Sequence, residues 1–406
     1  MHVFLSDLHL TDWELGSPVT DAELTTFCKG QLGDFCRKGE VKLILLGDVV
    51  DLLRSAKWAE LWNQRGGAPW KGQGPDFSGF NDDYGEEYAL QVAQGIAARY
   101  PDFSAALKSL VETGKLKVFY TYGNHDFMAQ LSPKIREILR DFLSLAQDPV
   151  KPFPLVYTDE ESSIYAMHGH SFDPLNWHRV SKGYWAFGDA IVLRIVNRFA
   201  AEACRELGVK ETSQLGRRLH ELDNIEPTLD IPVYVRWLTD QALSIKSERT
   251  KIRQVWDRVV NDFLQDDVFQ DDRAYSDRAF KTTRMALSIS TSDTLIRLVE
   301  YVSSLLPEGI NYHQEADQLA RAQDKYRFIV FGHTHHPGIL PLSHSVGKQP
   351  AFYVNTGCWR RVVTRPSRAA PGPFIGTRVA SSFWIDDAAA TNAMGRYHLA
   401  RLCHTT

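Results

Sequence analysis

The chain has 406 residues, 44% of them hydrophobic and 24% charged, with 46 lysines and arginines against 50 aspartates and glutamates for a formal charge of −4. That balance excludes a disordered polyelectrolyte and a dedicated nucleic-acid coat, and the length suits two or three units whose cores need no disulfide staples. Five cysteines, an odd number without a CxxC pair, read as reduced thiols. With no basic-then-apolar leader and no apolar run of about 18 residues, the expectation is a cytoplasmic protein without a transmembrane segment.

In chain order, His2–Leu5 is a β-prone run that stops at Ser6-Asp7, and residues 20–37 carry Leu24, Phe27, Leu32 and Phe35 at helical spacing. Val41–Leu46 (VKLILL) is a short continuous apolar run, the pattern of a buried strand, and it ends at Gly47-Asp48. The stretch 65–85, with several glycines, two prolines, Trp70, Phe77 and Phe80, reads as a long irregular loop of the kind that forms rims or lids. Helical patterns occupy 86–113 and 133–145. Strands are expected at 117–122, ending in Gly123-Asn124-His125-Asp126, and at 162–167, ending in His168-Gly169-His170. From about 176 to 325 the periodicity is helical, with almost no strand signal. Strands resume at 327–331, before Gly332-His333-Thr334-His335-His336, and at 351–354 and 381–385. The expected architecture is a layered α/β core formed by residues 1–175 and 326–406, interrupted by a large helical cap insertion over 176–325.

Five short motifs share one feature: each falls where an apolar β run ends. They are Asp7-Leu8-His9, Gly47-Asp48, Gly123-Asn124-His125-Asp126, His168-Gly169-His170 and Gly332-His333-Thr334-His335. Seven of the 14 histidines lie in or beside them, counting His336. Layered α/β proteins gather their sites in the crevice beyond the carboxyl ends of the strands. Carboxylate, carboxamide and imidazole without thiolate suit hard-to-borderline divalent ions, Mn²⁺ first, with Fe, Zn²⁺, Co²⁺ and Ni²⁺ also acceptable. Asp7 and His9 are spaced i, i+2 where a strand turns into a loop, so both can reach one ion, and His333 and His335 have the same spacing. Asp48 has two oxygens and could bridge two. Two ions about 3.5–4 Å apart clamp the attacking and leaving oxygens of a displacement at phosphorus and make hydroxide available near neutral pH.

Taken in order, the set D-x-H, GD, GNH-D, H-G and GH-x-H resembles the calcineurin-like metallophosphoesterase superfamily. The resemblance implies a β-sandwich of two mixed sheets flanked by helices, and a dinuclear metal centre. In it Asp7, His9, Asp48 and His335 would hold one ion, and Asp48, Asn124, His168 and His333 the other. It places His125 near the leaving group as a proton donor or transition-state stabiliser. The opening FLSDLHL, the MHGH stretch and GDAIVLRIVNRF are similar to the UDP-2,3-diacylglucosamine pyrophosphohydrolases of lipid A synthesis and their relatives. Those enzymes carry arginine at the His125 position and a much shorter helical insertion.

The function expected is a metal-dependent phosphoric ester hydrolase, a phosphodiesterase or pyrophosphohydrolase rather than a monoesterase. Metal-bound hydroxide would attack a phosphate ester with a sizeable organic group, nucleotide- or lipid-linked. A non-catalytic scaffold that keeps the fold, and a DNA nuclease, are the alternatives. The complete ligand set counts against the first; the acidic charge and the lack of a basic stripe count against the second. Asp126 is a catalytic candidate as His125's acceptor, or else a turn cap. His170 reads as a contact to ligand or substrate, or as solvent-facing filler. Arg360, just after Asn355-Thr356-Gly357, reads as a phosphate-binding residue or as part of an exposed loop, and His336 as a loop residue. In the insertion, Ile191, Val192, Ile195, Val196 and Phe199 form an apolar face. It is either the core of the cap or a wall for acyl chains and peripheral membrane contact, with Arg194 and Arg198 on anionic head groups.

Overall fold

The computed structural model of the chain describes residues 1–16, 19–64, 83–146, 148, 151–173, 175–177, 186–226, 230–264, 311–366, 372–386 and 397–403. Their strands form two mixed sheets. The first runs β3 (Leu116–Thr121), β2 (Val41–Leu46), β1 (His2–Leu5), β11 (Ile375–Ile385), β10 (Arg361–Thr364) and β6 (Ile225–Glu226), with β12 (Tyr397–Cys403) also paired to β11. In it β1, β2 and β3 are parallel, with Phe4 opposite Ile44 and Ile44 opposite Phe119. The second runs β4 (Val156–Asp159), β5 (Ile164–Met167), β7 (Phe328–Phe331), β9 (Gln349–Asn355) and β8 (Gly338–Val346). Its three middle strands are parallel and its two outer ones antiparallel to their neighbours.

Alternation along these strands decides the layering, because successive side chains leave a strand on opposite faces. Phe4, Ile44 and Leu46 of the first sheet meet Ile164, Phe328 and Val330 of the second in one buried cluster between the sheets. Their neighbours Val3, Leu5, Leu43 and Leu45 face the other way, against helices that include Asp83–Arg99 and Pro101–Glu112. On the far side of the second sheet, Ile329 and Phe331 pack on Ala316 and Ala320 of helix Tyr312–Gln323. The order is therefore helices, sheet, sheet, helix.

The helices start where local chemistry says they should. Thr20 closes a reciprocal capping box with Glu23 ahead of helix Asp21–Phe27. Proline opens helix Pro101–Glu112, and Ser132 caps helix Pro133–Leu143.

The insertion holds more than helices. Ile225–Glu226 forms a two-residue strand that pairs in parallel with β10, Ile225 opposite Val363. A strand that short shows no periodicity, and it departs from the helical pattern of 176–325. The insertion's apolar face is interior: Ile191, Ile195, Val196 and Phe199 belong to a cluster with Leu222, Val259 and Val363, while Val192 packs into the main core. Arg194 and Arg198 are buried, and Arg198 is bound by Glu202 and Asp262 at 2.6 Å each, so these arginines are not placed to meet anionic head groups. Strands β4, β8, β10 and β12 and helix Ala56–Gln64 were not expected from periodicity. Of the expected loop 65–85, residues 65–82 lie outside the described residues and 83–85 open helix Asp83–Arg99. No helix among the described residues is long and apolar enough to cross a membrane.

Asp159 of β4 joins the sheets at the amino ends of the parallel strands, receiving Lys42 Nζ at 2.6 Å and lying 3.1 Å from His2 Nε2. Burial raises its pKa, but the Lys42 hydrogen bond, the Ser162 backbone N–H and the nearby His2 outweigh that and hold it below the ordinary carboxylate range. A depressed carboxylate pKa contributes stability above the unfolded-state value and loses it as pH falls through the folded one. Asp159→Asn is therefore expected to cost about 1 kcal/mol at neutral pH, discounted for solvent screening. In urea unfolding the gap from wild type should be flat above about pH 5 and close as pH falls below the unfolded value near 3.8. A gap that persists unchanged to pH 2 (order of magnitude, about two units below that value) would show that charge plays no part.

Candidate metal centre

Both sheets direct the carboxyl ends of their parallel strands to one end of the molecule. The loops after β1, β2, β3, β5, β7 and β9 meet there and are sewn to one another by backbone bonds: Asp7 N–H to Gly47 O, His9 N–H to Asp48 O, Gly332 N–H to His168 O and Trp359 N–H to Asp7 O. Five ligand candidates take the left-handed backbone conformation that non-glycine residues rarely adopt: Asp7 (φ 52°), His9 (46°), Asp48 (50°), His333 (68°) and His335 (60°). Such strain persists where the surroundings over-determine it, and it lets residues two apart turn to the same point. The backbones are also forced close. A Cβ on Gly123 would fall 2.1 Å from Asp48 Oδ1, so only glycine fits beside that carboxylate.

The candidate ligands converge. Asp7, His9 and His335 have ligand atoms within 4.8 Å of one another, as do Asp48, His168 and His333; a third group, His9, Asp48 and His125, overlaps both. His335 Nε2 lies 3.3 Å from Asp7 Oδ1 and 3.3 Å from His9 Nε2. His168 Nε2 lies 3.1 Å from Asp48 Oδ2 and 4.0 Å from Asp7 Oδ1. Donors about 2.1 Å from a central ion stand about 3.0–3.4 Å apart along the edge of an octahedron or tetrahedron, so several of these spacings are those of a ligand shell. Asn124 Oδ1 is buried without a hydrogen-bond partner. A buried polar atom left that way is costly unless something binds it.

Each imidazole is held by its other nitrogen, which fixes the ring as supporting acceptors do in metal sites. His9 Nδ1 bonds Asp51 Oδ2 at 3.0 Å, and His168 Nδ1 donates to Leu46 O at 2.8 Å. His335 Nδ1 meets Glu226 Oε1, and His333 Nε2 lies 3.2 Å from Asp173 Oδ2. Burial opposes charge on these rings, yet the Asp48 and Asp7 carboxylates push His168 up to about 9, and Glu226 with Asp7 pushes His335 up to about 10. His9 goes the other way: burial and the Arg360 guanidinium push it down to about 4. The centre is a concentration of buried carboxylates that calls for positive charge, with oxygen and nitrogen donors aimed inward. These residues fit divalent cations.

His125 lies at the rim of this group, its side chain 13% exposed, with Nδ1 3.0 Å from Asp51 Oδ1 and its backbone N–H on Asp48 Oδ1 at 2.8 Å. Asp51 therefore serves both His9 and His125, while also accepting the Leu53 and Arg54 backbone N–H groups. Sequence reasoning missed it, although the signal was present: a second aspartate three residues after Asp48 on the same strand-end loop. Burial opposes ionisation of His125, but Asp51 and Asp48 hold it protonated, pushed up to about 10.

Three residues carry open readings from the sequence: the structure selects one for Asp126 and for His170 and departs from both for Arg360. Asp126 is not the acceptor for His125; its carboxylate takes the Gly123 N–H at 2.6 Å and the Tyr120 hydroxyl, fixing the loop that carries Asn124 and His125. Arg360 is buried, not part of an exposed loop, and its guanidinium is taken up by partners within the protein. Its Nε and Nη2 donate to Asn224 and Asp223, and its Nη1 lies 3.4 Å from His9 Nδ1. His170 is fully buried behind the ligands, its ring 5.4 Å from that of His168 and 5.5 Å from that of Tyr122, which excludes solvent-facing filler and leaves no surface for a substrate. His336 is exposed at the edge, 3.6 Å from Glu226. No protein-family model matches the sequence, and no curated protein matches it.

Proposed function

We propose that the protein is a dinuclear metal-dependent phosphoesterase of the calcineurin-like metallophosphoesterase kind. It hydrolyses a phosphodiester or pyrophosphate with a sizeable organic portion, nucleotide- or lipid-linked. One observation carries the reading: donors from five strand-end loops converge on one centre, each imidazole backed by its own acceptor. Asp7, His9 and His335 would hold one ion, with Asp48 shared, and Asn124, His168 and His333 would complete the shell of the other. When bound, such a pair supplies charge neutralisation at the phosphoryl oxygens and a water that ionises near neutral pH, a role that Mn²⁺, Fe, Zn²⁺, Co²⁺ and Ni²⁺ can all fill.

The chain's own part is positioning and proton transfer. Asp51 orients His125 so that the remaining ring nitrogen is free to protonate the departing alkoxide. Asp126 holds the turn that presents it, and Asp48 fixes its backbone. The insertion, packed beside the centre, favours a substrate with an organic part to grip.

The test is hydrolysis of bis(p-nitrophenyl) phosphate and p-nitrophenyl phosphate by chelator-treated protein, before and after Mn²⁺ is returned. Mn²⁺-restored turnover that favours the diester is expected. No turnover with any of the five metals would move the protein to the scaffold reading.

A further inference from the structure

We infer that Glu226, carried by the insertion, is a positioning residue for the ion held by Asp7, His9 and His335, so that this half of the metal centre is completed only by the insertion's docking on the sheet. The inference rests on the dinuclear reading above and goes beyond it by assigning one ion's stability to a segment outside the strand-end motifs.

The two-residue strand β6 explains how the insertion reaches the centre. Pairing with β10 places Ile225 opposite Val363 and Glu226 opposite Thr364, and adjacent strand residues point to opposite faces. Ile225 is buried in the insertion's own apolar cluster, which Val363 also joins. Glu226 leaves by the other face and places one carboxylate oxygen on His335 Nδ1. That bond selects the tautomer and leaves Nε2, 3.3 Å from both Asp7 Oδ1 and His9 Nε2, turned to the centre. Two and three residues before Glu226 the same segment grips Arg360: Asp223 Oδ2 accepts from Nη2 at 2.7 Å, and Asn224 Oδ1 accepts from Nη2 at 2.7 Å and from Nε at 3.2 Å. Arg360 in turn lies against His9. The segment thus holds His335 directly and also holds the arginine that lies against His9. His333, in the other group, is braced by Asp173, which lies just before the insertion.

Loss of a supporting acceptor of this kind weakens metal affinity roughly 10- to 100-fold. Metal content by elemental analysis after graded chelation, with the Mn²⁺ electron-spin spectrum, reads the effect without any assay of turnover. Wild type is expected to hold a spin-coupled pair. Glu226→Ala should release one ion about 10–100-fold more easily and show the spectrum of an isolated ion. Glu226→Gln, which keeps an acceptor but not the charge, should fall between. Asp173→Ala should release the other ion, and the double variant should hold none. The inference is overturned if Glu226→Ala keeps both ions at wild-type affinity. It is equally overturned if that variant loses both ions together with a fall in the melting temperature of the chelated protein, since that would be a folding defect. If wild type itself binds no ions, the dinuclear reading fails first and this inference with it.

Discussion

Asp48→Asn is expected to empty the centre and to lower phosphodiester turnover by roughly three to four orders of magnitude, about 4–5.5 kcal/mol of barrier. Asp48 is the carboxylate common to the groups around His9 and His168, with Oδ2 3.9 Å from His9 Nε2 and 3.1 Å from His168 Nε2. Burial alone would raise its pKa, yet His168 and His125 hold it well below the ordinary range, so it is ionised at any working pH. Asparagine is the informative replacement. It keeps the shape that fits against Gly123, and it tolerates the left-handed φ of 50° better than alanine. What it removes is the charge. Elemental analysis should show both ions lost from Asp48→Asn, while the melting temperature measured in excess chelator stays close to that of similarly treated wild type. Retention of both ions with wild-type turnover would end the bridging role.

How much of this was legible in the sequence depended on distance along the chain. The strand-end motifs were readable because β run and ligand are contiguous: VKLILL runs straight into Gly47-Asp48, and the run over 117–122 into Gly123-Asn124-His125. The i, i+2 spacing of Asp7 with His9 showed that these two could turn together; His333 and His335, spaced alike, turn to different groups, and the left-handed backbone at all four aims them. The supporting acceptors were not readable. Glu226 is 109 residues from His335, and Asp173 is 160 residues from His333, separations across which one sequence holds no record of contact. By sequence Asp126 stands between accepting from His125 and capping the turn, and it caps the turn. A side chain one residue on cannot easily turn back to its neighbour's ring, whereas Asp51, on a different loop, faces it. Arg360 reads from sequence as a phosphate-binding residue or part of an exposed loop because its partners are distant along the chain; Asp223 and Asn224 arrive from the insertion to bury it.

His125→Ala is expected to slow diesters with poor alkoxide leaving groups by roughly 10²–10⁴-fold, while p-nitrophenyl substrates lose much less. The asymmetry follows from what a proton donor supplies. A nitrophenolate departs readily without a proton, so removing the donor costs little, whereas an alkoxide needs the proton as the bond breaks. Equal losses on both substrates would instead mean that the ring only binds or shields. Asp51 makes the test sharper, because its two oxygens serve two rings, Oδ1 near His125 Nδ1 and Oδ2 near His9 Nδ1, each at 3.0 Å. Asp51→Asn should therefore show two separable defects, one dependent on the leaving group and one on metal concentration. Once His125 is gone, Asp51 has no ring left to orient there. In the double variant the leaving-group defect should be no larger than in His125→Ala alone, and only the metal-dependent loss through His9 should remain to be added. If instead the two leaving-group effects multiply, Asp51 and His125 act independently, and the proton donor must be sought elsewhere on the rim.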